Sequence, residues 1–472
     1  MTEATRSSGA ATRRALVVGG GVAGLVVARD LATAGVAVVL VEASDRLGGE
    51  VGRHVVGGLP LDAGAESFAT RGGTVRAYLD ELGLGDDVVL PDPRGAWVQH
   101  GSGQAFPLPR TGLLGIPGDL AADDVVAVVG AAGTAEAARL DAAPGGVGAD
   151  ETSVGGLVRV RMGDAVLDRL VTPIIGGVHS VHPDALSVDR VAPGLRAALR
   201  REGSLAAAVL SVRALAPAGS AVAGLRGGMA SLAEALVAEL DRLGVEVRLG
   251  AHVAALDGRS VTLTGDAAGA GAAAGQGAAA TSGTSSTSGA PERLEADVVV
   301  LAVGDGAGRV LTGRAAHAAG LITLATLVLR DPRLDAAPRG TGVLVAPGAD
   351  GVRAKALTHA TAKWPWLAER AAGRHVLRLS YDSPMVTGAT TDDELRSTAL
   401  ADASVLLGLT LDPATVEDAA RVEWSAPLPQ EAAGASSSLP DGVVRVGGAV
   451  AGRGLAAVIA HARRVAAELV AR

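Results

Sequence analysis

Runs of apolar residues ended by glycine open the chain. Arg14 to Gly20, RALVVGG, shows no polar alternation, which predicts a parallel strand buried on both faces. Val22 to Ala34 reads as a helix, closed by Gly35. VAVVLVE, Val36 to Glu42, predicts the next strand. Together they form a β-α-β unit of about 30 residues.

From Thr111 to about Ala216 the pattern turns mostly helical. MGDAVLDRLVTPIIGGV and VAPGLRAALRREGSLAAAVLSVRAL space their apolar residues by three and four. A further helix is predicted from about Met229 to Leu243, followed by short strands in VEVRLG, HVAALDG and SVTLTGD. Ala267 to Ala290 has no charge and almost no bulk, and residues 267–290 are expected to be a flexible loop. Residues 1–12 are expected to be a disordered tail. LEADVVVLAVG resumes the sheet. Between 305 and 430, GLITLATLVLRD, TGVLVAP, VRAKALTHAT and HVLRLSY predict a mostly antiparallel sheet, interrupted by the helix pattern TDDELRSTALADASVLLGL. The chain closes on a strand, a glycine turn and a long helix.

At 472 residues the chain needs two or three domains. It is 48% hydrophobic but holds only two Phe, two Tyr and four Trp, so its core must be aliphatic. The net charge of −8 comes without basic blocks, which argues against nucleic acid as a partner. The absence of cysteine excludes disulfides, thiolate metal sites, a cysteine nucleophile and a thioether-tethered flavin. No apolar run reaches the roughly 18 residues of a spanning helix, and the polar N-terminus lacks a signal peptide's apolar region. The protein is expected to be cytoplasmic, with no transmembrane segment. Peripheral membrane contact needs only a surface patch and stays open.

Gly19-Gly20-Gly21-Val22-Ala23-Gly24 fits G-x-G-x-x-G between a predicted strand and a predicted helix. A pyrophosphate must touch backbone N–H groups at a helix N-terminus, where a Cβ would hold it off. Glu42, at the end of the second strand, is placed to accept from ribose hydroxyls and disfavours a 2′-phosphate. NAD and FAD both satisfy these residues.

Glu42-Ala43, Arg46 and Gly48-Gly49 fit E-x3-R-x-G-G, a signature that resembles the amine-oxidase-like FAD superfamily. Within it the chain resembles the porphyrinogen oxidases of haem synthesis, from about Arg14 to its end. The resemblance rests on LDAGAESFATR (Leu61 to Arg71), TPIIGGVHSVHPDALSV (Thr172 to Val188), GLRGGMASL (Gly224 to Leu232), ADVVVLAV, TGVLVAP, AKALTHATAKWP (Ala354 to Pro365) and VEWSAPLPQ (Val422 to Gln430), taken in order. It is most similar in kind to bacterial coproporphyrinogen III oxidases. Three positions depart from the family's pattern: Arg53 where Thr is usual, His179-Ser180-Val181 for Tyr-Ala-Gly, and Ala449 where Asn or Asp is common.

The resemblance implies an α/β protein. A discontinuous Rossmann-like FAD-binding domain (13–70, 217–304, 431–472) would join an antiparallel-sheet substrate domain (71–110, 305–430) and a mostly helical insertion (111–216). It implies non-covalent FAD held by Gly19 to Gly24, Glu42, Ala43, Arg46, Gly49, Glu50, Gly64, Ala65, Glu66, Ser67, Val253, Trp424, Gly448, Gly454, Leu455 and Ala456. It implies a porphyrinogen substrate met by Arg71, Ile175, His179, Leu324 and Leu344, with Ile174 a further wall candidate, and Arg94, Arg110, Arg353 and Arg378 as further cationic candidates. The implied reaction takes six electrons in three steps, O2 reoxidising the flavin to give H2O2, and a ferrochelatase-type enzyme receives the product. No acid–base residue is assigned, because the flavin carries the chemistry. His179 and His182 have no third ligand nearby, and Pro183 disrupts a helix there, so no metal is expected. The resemblance implies coproporphyrinogen III as the substrate, with protoporphyrinogen IX as the alternative. An amine oxidase, a carotenoid-type desaturase and an inactive flavoprotein partner are the rival readings.

Overall fold

The computed structural model describes residues 13–109, 112–179, 181–214, 222–264, 291–313, 320–383, 385–426, 439–452 and 454–472. The expected N-terminal tail and the expected loop 267–290 lie outside these residues.

Among the described residues, five strands pair in parallel in the order Glu246–Arg248, Ala37–Val41, Arg14–Val18, Val298–Leu301 and Val443–Arg445. They come from three separated stretches of chain. Ala15 and Val17 face a core built by the helices Val22–Thr33, Ala230–Arg242 and Leu455–Val470, with Leu25, Leu232 and Ile459 at its centre. Leu16 and Val18 face the other way, onto Val261 and Leu263 of a three-stranded antiparallel sheet. Cover on both faces is why RALVV carries no alternation.

A second sheet runs Val416–Ala426, Gly320–Leu329, His375–Asp382, Ala356–His359, Gly342–Val345, Trp97–Gln99 and Ala105–Pro107. Every neighbouring pair is antiparallel except Gly342–Val345 with Trp97–Gln99. The helix Asp392–Leu407, opened by a Thr391/Glu394 capping box, buries Leu395, Ala399 and Leu406 against Leu327, Leu377 and Leu379 on one face. Period-2 alternation sends Leu324 and Arg378 to the opposite face, whose Val328 and Val376 end is covered by Val56, Leu61, Trp364 and Leu367.

The third layer is helical, as the spacing predicts. The pattern MGDAVLDRLVTPIIGGV is broken, however, by Gly163 at φ +80° and by a wide π turn at Leu167–Val171 before the helix Thr172–His179 begins. The helix Thr74–Glu81 lies in the stretch assigned to the substrate side, yet Val75, Tyr78 and Leu79 pack into the nucleotide-side core beside Leu25. No helix of the described residues is long and apolar enough to cross a membrane.

Candidate active site

Gly19 turns at φ +105°, and a Cβ on Gly24 would meet the Gly19 carbonyl oxygen at 1.9 Å. The loop and its helix can close this tightly only with glycine at position 24. Gly21 is different. A Cβ there would meet nothing within 4 Å, and Gly21 begins a helix whose first turn has no acidic residue and no side-chain cap. That is a cradle of free N–H groups at a positive helix end, suited to a diphosphate.

Glu42 organises the cradle's rim. Its carboxylate accepts the Gly20 N–H at 2.6 Å and the Ser44 N–H and hydroxyl at 2.8 Å each. A carboxylate has about four lone-pair sites, so one remains for a ribose hydroxyl. The chain at Arg248 to Ala251 bonds to the backbone of Glu42 and Ser44, and Val253 begins the next strand two residues on. On the other side Gly48 donates to the Gly20 carbonyl, and a Cβ on Gly49 would sit 3.2 Å from Gly21. Arg46 folds back over Gly52 and reaches the Gly49 carbonyl at 3.4 Å. Gly447, at φ +99°, abuts Ala23 and leads into Gly448, then Gly454 and the uncapped helix start at Leu455 and Ala456.

From the cradle the path continues to the second loop. The Ala65 N–H donates to the Glu50 carbonyl at 3.0 Å, and Gly64 lies too close to Glu50 for any side chain. Three contacts hold this loop. Asp62 accepts the N–H groups of Met229 and Ala230 at 2.9 Å and so caps the helix that follows the G-G-M turn. Arg378 donates to the carbonyls of Asp62 and Gly64. Lys363 pairs with Glu66 at 2.5 Å. Burial pushes the Asp62 carboxyl up to about 6, against the pull of its two N–H partners and Arg378. Burial also opposes the Glu66 charge, but Lys363 and Arg378 outweigh it and hold that carboxyl below the usual carboxylate range.

Arg378 belongs to the Leu324 face of the second sheet. Leu324, Ser380, Ala356 and Leu344 form one row across that face, and Ile322 with Trp424 lies one row away. Ser380, Ala356, Leu344 and Trp424 are half-buried, and Leu324 is buried. The Trp424 Nε1 donor is buried with no partner among the described residues. Gly177 of the helix Thr172–His179 packs directly on Leu344. The loop at 62–66 and this helix therefore both meet the same sheet face, and the loop is tied through Glu50 and Gly49 to the Gly21 cradle; the ground between them is the candidate cleft.

Not every expected residue joins it as expected. Ile175 is fully buried in the core of the helical layer with Leu157 and Leu199, whereas its neighbour Ile174 is half-buried. Arg71 donates at 3.1 Å to the carbonyls of Val191 and Pro193, so a ligand carboxylate would have to share it with the helical layer. Arg94 is paired with Asp92, and Arg110 lies outside the described residues. Arg353 is exposed at a different surface, beside Met385 and Thr390. His179 ends its helix, and Ser67 is half-buried behind Glu66. Asp62 and Glu234 carry no local signal. Lys363 does: it is one of only two lysines in the chain. Arg53, the departure from the family's threonine, makes a two-pronged pair with Glu234 at 2.8 and 3.1 Å.

The model of the family described as flavin containing amine oxidoreductase matches residues 22–441. The chain belongs to that family. It is 31% identical to a coproporphyrinogen III oxidase of Mycobacterium leprae, over 96% of this chain and 97% of that one. It is 30% identical to protoporphyrinogen oxidase 1 of Arabidopsis thaliana, but over 50% and 46% of the two chains. Among solved structures it is similar to a protein described as a putative protoporphyrinogen oxidase from Exiguobacterium, with TM-score 0.77, 25% identity, and coverage of 98% and 100%. A putrescine oxidase shares the fold alone, with TM-score 0.61 and 16% identity. This flavin oxidoreductase thus carries its family's α/β fold over nearly the whole length of the Mycobacterium leprae relative and of the Exiguobacterium structure.

Proposed function

We propose that the protein oxidises coproporphyrinogen III to coproporphyrin III with non-covalently bound FAD. Each of three steps removes two electrons and two protons, and three O2 become three H2O2. The observation that carries this reading is the end-to-end match to a coproporphyrinogen III oxidase, set against a half-length match to a protoporphyrinogen oxidase. The geometry supports it. Gly21 and the helix start at Val22 would hold the diphosphate, Glu42 a ribose, and Gly49, Ala65 and Trp424 the stretch toward the reactive end. Bound FAD would supply the hydride acceptor, which no side chain in the cleft could replace.

The chain's own work is binding and exclusion of water. An apolar macrocycle needs aliphatic walls, and Leu324 and Leu344 provide them on the half-buried sheet face. Propionates need guanidinium partners, for which Arg71 at the edge of the helical layer is the candidate. The product would pass to a metal-inserting enzyme of the ferrochelatase type, and the reaction belongs in the cytoplasm. The test is direct. FAD is added to the purified protein, coproporphyrinogen III or protoporphyrinogen IX is supplied anaerobically and then with O2, and porphyrin fluorescence and H2O2 are followed. Faster turnover of the four-carboxylate substrate is expected. Preference for protoporphyrinogen IX would reassign the substrate, and no flavin uptake would overturn the reading.

A further inference from the structure

Lys363 is committed to the loop that borders the cleft. Its ammonium lies 2.5 Å from Glu66 Oε1, Arg378 lies 3.8 Å from Glu66 Oε2, and all three side chains are less than one-fifth exposed. Lys363 also sits 5.2 Å above the Trp364 ring, which limits its freedom. The other nearby anion, Asp62, is directed at the N-terminus of the helix Ala230–Arg242. Burial and the cations Arg378 and Arg46 push the His54 ring below its usual range. Two cations therefore face one carboxylate that no helix end neutralises.

Position gives this imbalance a target. Glu42 fixes the ribose side of a dinucleotide whose diphosphate lies at Gly21. The reactive end must then run the other way, past Gly49, Glu50 and Ala65, which are linked by direct contacts. Glu66 is the next residue. A hydride carries two electrons and one proton, so a flavin bound there would gain one negative charge on accepting it and would lose that charge when O2, taking up one further proton, leaves as H2O2. Fixed, half-buried charges beside that change are poorly screened.

We infer that Lys363, Glu66 and Arg378 form a positioning cluster that sets the reduction potential of the bound flavin, Lys363 raising it and Glu66 lowering it. The inference rests on the flavin reading above. A unit charge at roughly 10 Å under an effective dielectric of about 20 changes the reduced-to-oxidised equilibrium by about tenfold. For a two-electron couple that is about 30 mV.

The test uses the FAD-loaded full chain and spectroelectrochemical titration, without substrate. Lys363→Met should move the potential down by about tenfold in that equilibrium. Glu66→Gln should move it up by a similar amount. The double variant keeps the wild-type net charge and should return close to the wild-type potential, and Lys363→Arg should leave it unchanged. A purely structural clamp predicts something else: weaker FAD retention in both single variants, with no opposite shifts. Shifts of one sign, or none, overturn the inference. Should Lys363→Met retain no flavin, Glu66→Gln and the double variant still give the sign. A wild-type chain that takes up no FAD overturns the flavin reading and this inference together, whereas FAD uptake without the sign pattern overturns only the latter.

Discussion

Two arginine–carboxylate centres in this protein use the same groups to opposite ends. In the helical layer Arg161 spends all five N–H donors: on Asp141 Oδ1, and on the carbonyls of Ala143, Pro144, Asp141 and Gly203. Asp141 fills its four acceptor sites with Arg161, the Leu205 and Ala206 N–H groups and the Ser204 hydroxyl. Arg161 is 0% exposed. At the cleft, Arg378 spends two donors on carbonyls and approaches Glu66 without bonding to it. The first centre lies within one layer and is saturated. The second joins three segments and is left incomplete. A saturated knot can only hold a fold, whereas an incomplete one keeps charge available to a ligand.

Breaking the knot should give the largest effect. Asp141→Ala strands the Arg161 charge and removes the partners of two helix-start N–H groups. It should cost about 3–5 kcal/mol in denaturant unfolding. FAD affinity, read in the fraction still folded, should stay near wild type. A loss under 1 kcal/mol would show that the knot is not the support it resembles.

The comparison also singles out a buried pair that is close-packed but not saturated. His359 and His375, in neighbouring strands of the second sheet, meet at 3.1 Å, and His359 Nδ1 has no partner among the described residues. Burial, with the His375 and Arg94 charges adding, pushes His359 down to about 3. Above pH 6.5 the ring is neutral whether the chain is folded or not. As pH falls below 6.5 the unfolded chain gains a proton that the folded chain refuses, so stability is lost. By pH 4 the loss from His359 should reach about 3 kcal/mol. Asp62 opposes it over a narrower window: the stability its raised carboxyl contributes is complete only below 3.8 and is lost as pH rises from there through about 6. His359→Gln should flatten the acid limb of stability against pH. An unchanged limb would assign acid sensitivity elsewhere.

The cradle sharpens the contrast between support and site within one loop. Gly24→Ala drives a Cβ into a carbonyl oxygen and should lower folding stability. Gly21→Val adds its bulk to open space at φ −70°, where valine is unstrained. Its folding stability should change by less than about 0.5 kcal/mol. Its FAD dissociation constant should rise at least about tenfold, about 1.4 kcal/mol, by equilibrium dialysis. Retained FAD affinity would move the diphosphate off Gly21.

These contrasts mark what the sequence could show. Strands covered on both faces and the alternating strands of the second sheet are local patterns, legible because period and burial are coupled over a few residues; the glycine loop likewise joins a strand to a helix where its spacing places it. Asp62 was not legible, because its two N–H partners lie 167 and 168 positions away. Ile175 misled for the converse reason. An apolar helix has a core side and a cleft side, and apolar spacing alone does not say that Ile175 takes the first and Ile174 the half-buried border. Arg71 reads as a free cation until topology brings the Val191 and Pro193 carbonyls to it.

Arg53 gives the smallest prediction and the finest test of the comparison. Its pair with Glu234 is two-pronged, whereas Arg161 reaches only one oxygen of its carboxylate, and the Arg53 pair ties the hairpin ending at Asp62 to the helix that Asp62 caps. Yet Arg53 and Glu234 keep 28% and 57% of their side chains in solvent. Water competes for both, so Arg53→Thr should cost only about 0.2–1 kcal/mol, less at high salt. Asp62 still holds the helix start in that variant, so FAD affinity should stay within about twofold. A loss of several kcal/mol, insensitive to salt, would mean that geometry rather than burial decides what such a pair contributes. The contrast between knot and clamp would then have to be redrawn on bidentate contact alone.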